Sequence, residues 1–395
     1  MAEGSAQFIV SARKYRPSTF GLVVGQEHIT NTLKNAIAQN KVAQSFLFCG
    51  PRGVGKTTCA RILAKTLNCL DRSDDNEPCN KCSSCTSFHE NANFNIFELD
   101  AASNNSVDDI RNLVEEVRYP PHSGKYKVYI IDEVHMLSTA AFNAFLKTLE
   151  EPPSYAIFIL ATTEKHKIIP TILSRCQIFD FNRIKIVDIV KQLTLVAKQE
   201  EIATEEEALH IIAQKADGGM RDALSMFDLV RTFSLESKIS YAGAVEHLHV
   251  LDYDYYFKIT DKLASGGSTE VLLLFDEILN KGFDAHIFIS GLAEHFRNVL
   301  VSKDKGIAKL LQVPENAKER FVQQAANISS SFLLTALNIA SQADGQYRNT
   351  RNQRLLIEIA LMKMAHIGDA VNLVMASRTA ALQPAGEPAG QKKNS

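Results

Sequence analysis

Residues Leu47–Thr58 read LFCGPRGVGKTT, a short apolar run that breaks at a glycine-rich turn and closes on a lysine and two threonines. From Gly50 to Thr57 the stretch matches G-x-x-x-x-G-K-S/T, a loop whose backbone N–H groups cradle phosphate oxygens. The glycines let the backbone curl so that successive N–H groups point inward, and a helix starting near Gly55 adds its positive end. Lys56 is placed to reach β- and γ-phosphates, and the Thr57 hydroxyl to ligate Mg²⁺. The candidate phosphate-binding set is Gly50, Pro51, Arg52, Gly53, Val54, Gly55, Lys56, Thr57 and Thr58. A plain glycine turn between strand and helix is the competing reading. The strand before the loop and the helical pattern Ala60, Leu63, Ala64 and Leu67 after it argue for the phosphate loop.

Outward from the loop, strand-like runs alternate with helical patterns across residues 46–182. Strands are predicted at Phe46–Cys49, Ile96–Leu99, Val128–Ile131, Ala156–Ala161 and Gln177–Phe181. Val107, Ile110, Val114 and Val117 recur at helical spacing behind a Ser106/Asp109 capping box, and Phe142, Phe145, Leu146 and Leu149 follow an N-cap at Ser138. Such alternation predicts a parallel sheet covered on both faces. The third strand runs into Asp132 and Glu133. Alone, an acidic strand end is better read as a solvated edge. After a phosphate loop it suits a metal-shell carboxylate (Asp132) and a group that polarises water (Glu133). The next strand ends at Thr162 and Thr163, whose hydroxyls suit contact with water or a γ-phosphate, although threonine is common at strand ends. Arg175, in Ser174-Arg175-Cys176, is either a surface ion pair or an arginine offered to a neighbour's γ-phosphate. Arg221 opens a helix after Gly218-Gly219 and is placed to lean back over the phosphates.

After Arg183 strand-like runs become scarce and helical patterns follow one another, including Ile184–Gln199, Glu205–Ala216 and Gly219–Phe233. Four regions are expected: 1–182, an α/β nucleotide-binding domain; 183–243, an all-α lid; 244–370, a larger all-α domain; and 371–395, a Pro/Gly/Ala-rich tail expected to be disordered. The chain has 395 residues, 45% of them hydrophobic, enough for several cores. Its formal net charge of −2 provides no global basic field for nucleic acid, so DNA contact is expected from a local face or from assembly. Arg111, Arg118 and Lys125 are candidates, and the isolated chain is expected to bind DNA weakly. No membrane span or signal peptide is evident, and a cytoplasmic location is expected.

Seven cysteines in that compartment argue for thiols or metal rather than disulfides. Cys69, Cys79, Cys82 and Cys85 form C-x9-C-x2-C-x2-C, a set able to wrap one tetrahedral Zn²⁺. Four thiolates close the shell, leave no open position for water, and predict a structural site that pins an inserted loop. His89 is then not needed as a ligand. Cys49, Cys59 and Cys176 read as small buried or half-buried residues.

Taken together, "ARKYRPSTFGLVVGQEH" (12–28), "GPRGVGKTT" (50–58), the four-cysteine insert, "ELDAASNNSVDDIR" (98–111), "VYIIDEVHML" (128–137), "FLKTLEEPP" (145–153), "ATTEKHKIIPTILSRC" (161–176) and "GGMRDALS" (218–225) resemble the bacterial DNA polymerase III gamma/tau family, clamp-loader ATPases of the AAA+ class. The resemblance is dense over about residues 8–250 and fainter to about 370. It implies a RecA-like P-loop ATPase domain, a helical lid and a helical collar that closes a five-subunit ring with other clamp-loader subunits. In the family, ATP-bound rings open the sliding clamp and grip primed DNA, and hydrolysis releases both. The implied roles are Lys56 and Thr57 on phosphate and Mg²⁺, Asp132 in the metal shell, Glu133 as base, Thr163 as first sensor, Arg221 as second sensor and Arg175 as the finger in a neighbouring site. Arg16, Pro17 and Val24 resemble the segment against adenine, and the four cysteines match the zinc ligands. Longer family members carry further domains that bind helicase and polymerase, and this chain, ending at Ser395, is expected to lack them. A non-hydrolysing ring stator and another AAA+ machine, such as a branch-migration helicase, are the alternatives. The intact Lys56, Thr57, Asp132 and Glu133 disfavour the first. The cysteine insert and the helical third region disfavour the second.

Overall fold

The computed structural model describes residues 9–90, 93–121, 124–234, 238–248, 250–304, 311, 313 and 315–368. The tail expected to be disordered, 371–395, lies outside the described residues. Two compact units divide the chain at Leu248.

In the first unit the elements run α1 Ser11–Lys14, α2 Glu27–Ala38, β1 Ser45–Cys49, α3 Lys56–Leu67, α4 Ser83–His89, β2 Ile96–Asp100, α5 Val107–Val117, β3 Lys127–Asp132, α6 Thr139–Glu150, β4 Ala156–Thr162, α7 Pro170–Leu173, β5 Gln177–Asp180, α8 Ile186–Gln199, β6 Ala203–Thr204, α9 Glu206–Lys215, α10 Met220–Phe233, β7 Lys238–Ile239 and α11 Tyr241–His247. Strands β1 to β5 pair in parallel in the order β2-β3-β4-β1-β5. Parallel neighbours need long crossovers, and the helices between the strands supply them. Every residue of β1 and β4 is buried, as expected of strands covered on both faces. The two-residue period divides them between two cores. Phe46, Phe48, Val128, Ile130, Ile157 and Ile159 meet side chains of α2 and α3 on one face. Leu47, Cys49, Tyr129, Ile131, Phe158 and Leu160 meet side chains of α5 and α6 on the other.

Local signals set the helix starts. The Ser106 hydroxyl accepts from Asp109 N–H at 3.1 Å while the Asp109 carboxylate accepts from Ser106 N–H at 3.2 Å, closing the predicted capping box. Ser138 caps α6 by accepting from Ala141 N–H at 3.2 Å. Between α8 and α11 the described residues add one feature that periodicity does not reveal. Strands β6 and β7 form a two-residue parallel pair, in which segments distant in the chain satisfy one another's backbone groups.

In the second unit, α12 Tyr253–Ala264, α13 Ser268–Asn280, α14 Ala285–Val301, α15 Glu315–Asn327, α16 Ser330–Tyr347 and α17 Gln353–Ala365 enclose one core. Phe275, Phe288, Phe296 and Phe321 are fully buried in it. Asp284 caps α14 by accepting from His286 N–H at 2.7 Å and Ile287 N–H at 3.1 Å. Among the described residues, no helix is long and apolar enough to cross a membrane.

Candidate functional site

The phosphate loop leaves the carboxyl end of β1 and enters α3, with the ends of β3 and β4 beside it. Crevices at such strand ends are where open α/β sheets place ligands. Two glycines show why the loop needs them. Gly50 has φ +147°, and a Cβ there would lie 2.5 Å from the Phe181 carbonyl oxygen. Gly53 has φ +77° and faces Gly219 of the lid, where a Cβ would come within 3.1 Å of the Gly219 Cα. The lid backbone also closes on the loop through Arg221 N–H, which donates to Gly53 C=O at 3.4 Å.

Lys56 is only 6% exposed, and its ammonium donates to the carbonyls of Gly50 and Pro51, each at 2.8 Å. Burial lowers its pKa, against the opposing carboxylates of Glu133 and Asp132. A buried cation turned back on its own loop is ready for stronger anionic acceptors. The Thr57 hydroxyl donates to Asp132 Oδ2 at 2.7 Å, bringing together the two side chains expected to share Mg²⁺. An oxygen-only pair of hydroxyl and carboxylate suits that hard cation.

Glu133 occupies the left-handed region at φ +48°, ψ +43°, a conformation concentrated at functional sites in non-glycine residues. Its carboxylate accepts from the Thr163 hydroxyl at 3.0 Å and from Thr163 N–H at 3.3 Å. His135 Nδ1 stands 3.4 Å from the same Glu133 oxygen, and Nε2 stands 3.5 Å from Glu164. The Thr162 hydroxyl meets the same His135 Nδ1 at 3.1 Å and makes no hydrogen bond to Glu133 among the described residues. His135 belongs to the quoted Asp-Glu-Val-His stretch, yet nothing in its spacing assigns it to these carboxylates.

A cavity of about 350 Å³ connects these groups. Arg52–Thr58, Asp132 and Glu133 line one end, and Ala12, Pro17, Leu22, Val23, Val24 and Leu224 make the apolar side. Arg16 and Arg221 flank it. Burial lowers the Arg16 pKa, and the positive charges of Arg61, Arg221 and Arg13 act the same way against Glu98. Such a cluster of cations favours an anionic ligand. Arg175 is elsewhere. Its guanidinium pairs with Glu150 at 2.7 Å and donates to the Thr171 carbonyl at 2.7 Å, outside the residues lining the cavity.

The four cysteines of the insert converge, with all four sulfurs within 4.8 Å of one another. Cys69 and Cys82 sulfurs are 4.0 Å apart, close to the edge of about 3.8 Å set by a tetrahedron with ~2.3 Å Zn–S bonds. Backbone N–H groups already point at these sulfurs, Cys79 N–H at Cys69 Sγ and Cys82 N–H at Cys79 Sγ, both at 3.3 Å. The donor set fits one zinc ion. Cys49 and Cys59 are buried and Cys176 half-buried, away from the cluster.

Three sequence profiles of protein families match the chain: DNA polymerase III, delta subunit, over residues 25–185; the DNA polymerase III clamp loader subunit ATPase lid domain, over 188–230; and DNA polymerase III subunits gamma and tau domain III, over 239–378. DNA polymerase III subunit tau of Bacillus subtilis is 42% identical over 361 residues, covering 89% of this chain and 62% of that protein. DNA polymerase III subunit gamma/tau of Mycobacterium tuberculosis H37Rv is 36% identical over 357 residues, with the same two shares, 89% and 62%. This chain therefore spans 62% of the length of these relatives. Among solved structures, the RuvB Holliday junction branch migration motor of Thermotoga maritima matches with a TM-score of 0.44 at 20% identity, over 63% of this chain and 79% of that one.

Proposed function

Because the chain belongs to the DNA polymerase III gamma/tau clamp-loader family, we propose that it is an ATP-hydrolysing motor of the clamp loader, which opens the sliding clamp and loads it onto primed DNA. One observation carries the motor reading. Lys56, the Thr57–Asp132 pair and the Thr163-held Glu133 meet at one cavity, which supports hydrolysis there once a neighbour supplies its finger. A non-hydrolysing stator would tolerate the loss of any of them. Another AAA+ machine would leave the converged cysteines and the second, helical unit without a purpose.

Each side chain has a derived task. The Lys56 ammonium transfers from the Gly50 and Pro51 carbonyls to phosphate oxygens, which carry more charge. Thr57 and Asp132 hold Mg²⁺, whose charge offsets that of the phosphates. Glu133 polarises water, and Thr163 fixes where its carboxylate points. Arg221 leans from the lid over the phosphate end, with Arg16 and Pro17 on the base side. Arg175, on the surface outside its own cavity, acts as a finger in the site of a neighbouring subunit. Such a finger places the chain in a ring, for which the family implies five subunits within the cytoplasmic polymerase holoenzyme. Cys69, Cys79, Cys82 and Cys85 hold zinc as a structural clip. The domains follow the same reading: ATPase 1–182, lid 183–243 and collar 244–370.

The test is ATP turnover by the chain assembled with other clamp-loader subunits, with and without sliding clamp and primed DNA. Stimulation that needs both, and is abolished by Lys56→Ala, is expected. Turnover indifferent to the clamp would remove the clamp-loader assignment and leave an ATPase. Absence of turnover in the full assembly would leave the stator.

A further inference from the structure

Most of the apolar wall of the cavity comes from one stretch of chain, with Ile184, Met220 and Leu224 adding to it. Residues 12–24 cross it as a strap containing only α1 and a 3-10 turn, Phe20–Leu22. So little regular structure cannot fix its own position, and the strap is held from both ends. At the lid end, Ser11 donates through N–H and hydroxyl to Asp228 at 2.7 and 2.5 Å, and Lys14 donates to Glu200 at 2.5 Å. At the other end the anchor comes from the cysteine insert. Glu77, between Cys69 and Cys79, accepts from Phe20 N–H at 2.7 Å and Gly21 N–H at 2.9 Å, the free donors opening the 3-10 turn. Its carboxylate also pairs with Lys34 at 2.6 Å.

A second tether runs the same way. Lys65, buried on the helix that follows the phosphate loop, donates to the Ser18 carbonyl at 2.9 Å and to the Asn80 side-chain oxygen. Asn80 lies between Cys79 and Cys82. The insert therefore touches the strap directly through Glu77 and indirectly through Lys65. The stretch from Leu70 to Asn76 is mostly exposed and has no helix or strand; a turn in which Ser73 N–H donates to the Glu77 carbonyl and Glu77 N–H to the Ser73 hydroxyl, both at 3.1 Å, shapes it locally, and the converged sulfurs on either side hold that turn against the domain.

We infer that Glu77 is a positioning residue through which the metal-closed cysteine insert holds the strap, so that metal occupancy sets affinity for the nucleotide base. This rests on the cavity being the nucleotide site. The strap lines the apolar side of the cavity, and the phosphates belong to the loop at the other end. Loosening the strap should therefore weaken binding of a base-bearing ligand and spare a bare polyphosphate.

The experiment uses the full zinc-loaded chain and measures, by calorimetry, its affinity for ATP and for inorganic tripolyphosphate, together with zinc content. Glu77→Ala is expected to weaken ATP binding about tenfold, the scale of losing hydrogen bonds to a charged group, while tripolyphosphate affinity and one zinc per chain are retained. Glu77→Gln, which keeps an acceptor for the strap N–H groups, should recover part of the loss. Chelating zinc from the unaltered chain should reproduce the base-selective loss, and restoring zinc should reverse it. Unchanged ATP affinity in Glu77→Ala overturns the inference, and so does an equal loss for both ligands. If Glu77→Ala does not fold, the Glu77→Gln and chelation arms decide by the same criteria. Lys56→Ala separates the two claims: if it binds ATP and tripolyphosphate as tightly as the unaltered chain, the nucleotide-site reading fails, not the strap.

Discussion

The two units bury polar side chains to different ends. In the first, Lys56 is buried beside an open cavity, satisfied only by carbonyls of its own loop. In the second, His295 and Gln324 are buried among Tyr256, Phe257 and Phe321 and close on each other at 2.7 Å, with Gln324 also donating to the Phe257 carbonyl at 2.9 Å and to Asp261 at 2.7 Å. A buried polar group with weak, replaceable partners at a cavity is available to a ligand. One closed on other side chains and a backbone carbonyl inside a helical core, as Gln324 is, serves to specify that core, even with His295 Nδ1 left without a partner among the described residues. The contrast separates a unit that keeps a cation at a cavity from a unit that turns its polar groups on one another within a core.

The largest effect expected to sharpen this contrast is in the packing unit. Phe288→Ala removes a fully buried ring from the second core and should cost about 3–5 kcal/mol. Hydrogen exchange should show protection lost across α12–α17 while ATP affinity is kept. Loss of ATP binding along with it would mean that the units are not separable. Lys56→Ala should do the reverse, lowering turnover about 10²–10³-fold, the scale of removing a preorganised donor at developing charge. Exchange protection in the second unit should not change.

Acid should divide the units next. Burial pushes the His295 pKa from its ordinary value down to about 4, against the opposing Gln324 hydrogen bond. The neutral ring is the folded form, so its contribution is present above the unfolded pKa of about 6.5 and is lost as pH falls from there towards 4, by roughly 3 kcal/mol in all. Denaturant midpoints of the second unit should fall over that window, and His295→Gln should flatten the slope. The smallest effect concerns the strap. Glu200 is held down to about 2 by Lys14 first, then Tyr15 and Arg231. A depressed carboxylate stabilises above its unfolded pKa of about 4.5 and ceases to as pH falls from there through 2. Glu200→Gln should loosen residues 11–15 in hydrogen exchange at neutral pH, with little change in global stability.

Much of the first unit was legible because its signals are local. Five strand-like apolar runs predicted five strands, each found within two residues of its expected ends. Ser106 and Ser138 announced helix starts through side chains that reach only three residues on. The phosphate loop and the cysteine spacing were legible for the same reason, since their ligand groups lie close together in the chain. The groups left unassigned act over distance. Glu77 reaches back 57 residues to Phe20, and Asp228 meets Ser11 across 217. The β6–β7 pair joins segments too short to carry a period, and His135 acquires partners only when β3 and β4 lie side by side.

By itself, then, the sequence determined the alternation of strand and helix, the phosphate loop, the acidic end of β3 and the four-thiol set, because periodicity, capping and ligand spacing are properties of neighbouring residues. Only the tertiary structure decided that Thr163 rather than Thr162 holds Glu133, that Arg175 stands outside its own cavity, and that Glu77 of the cysteine insert meets the strap lining that cavity. Those contacts depend on which strand ends and loops the sheet order brings together, and no local pattern of side chains encodes that order.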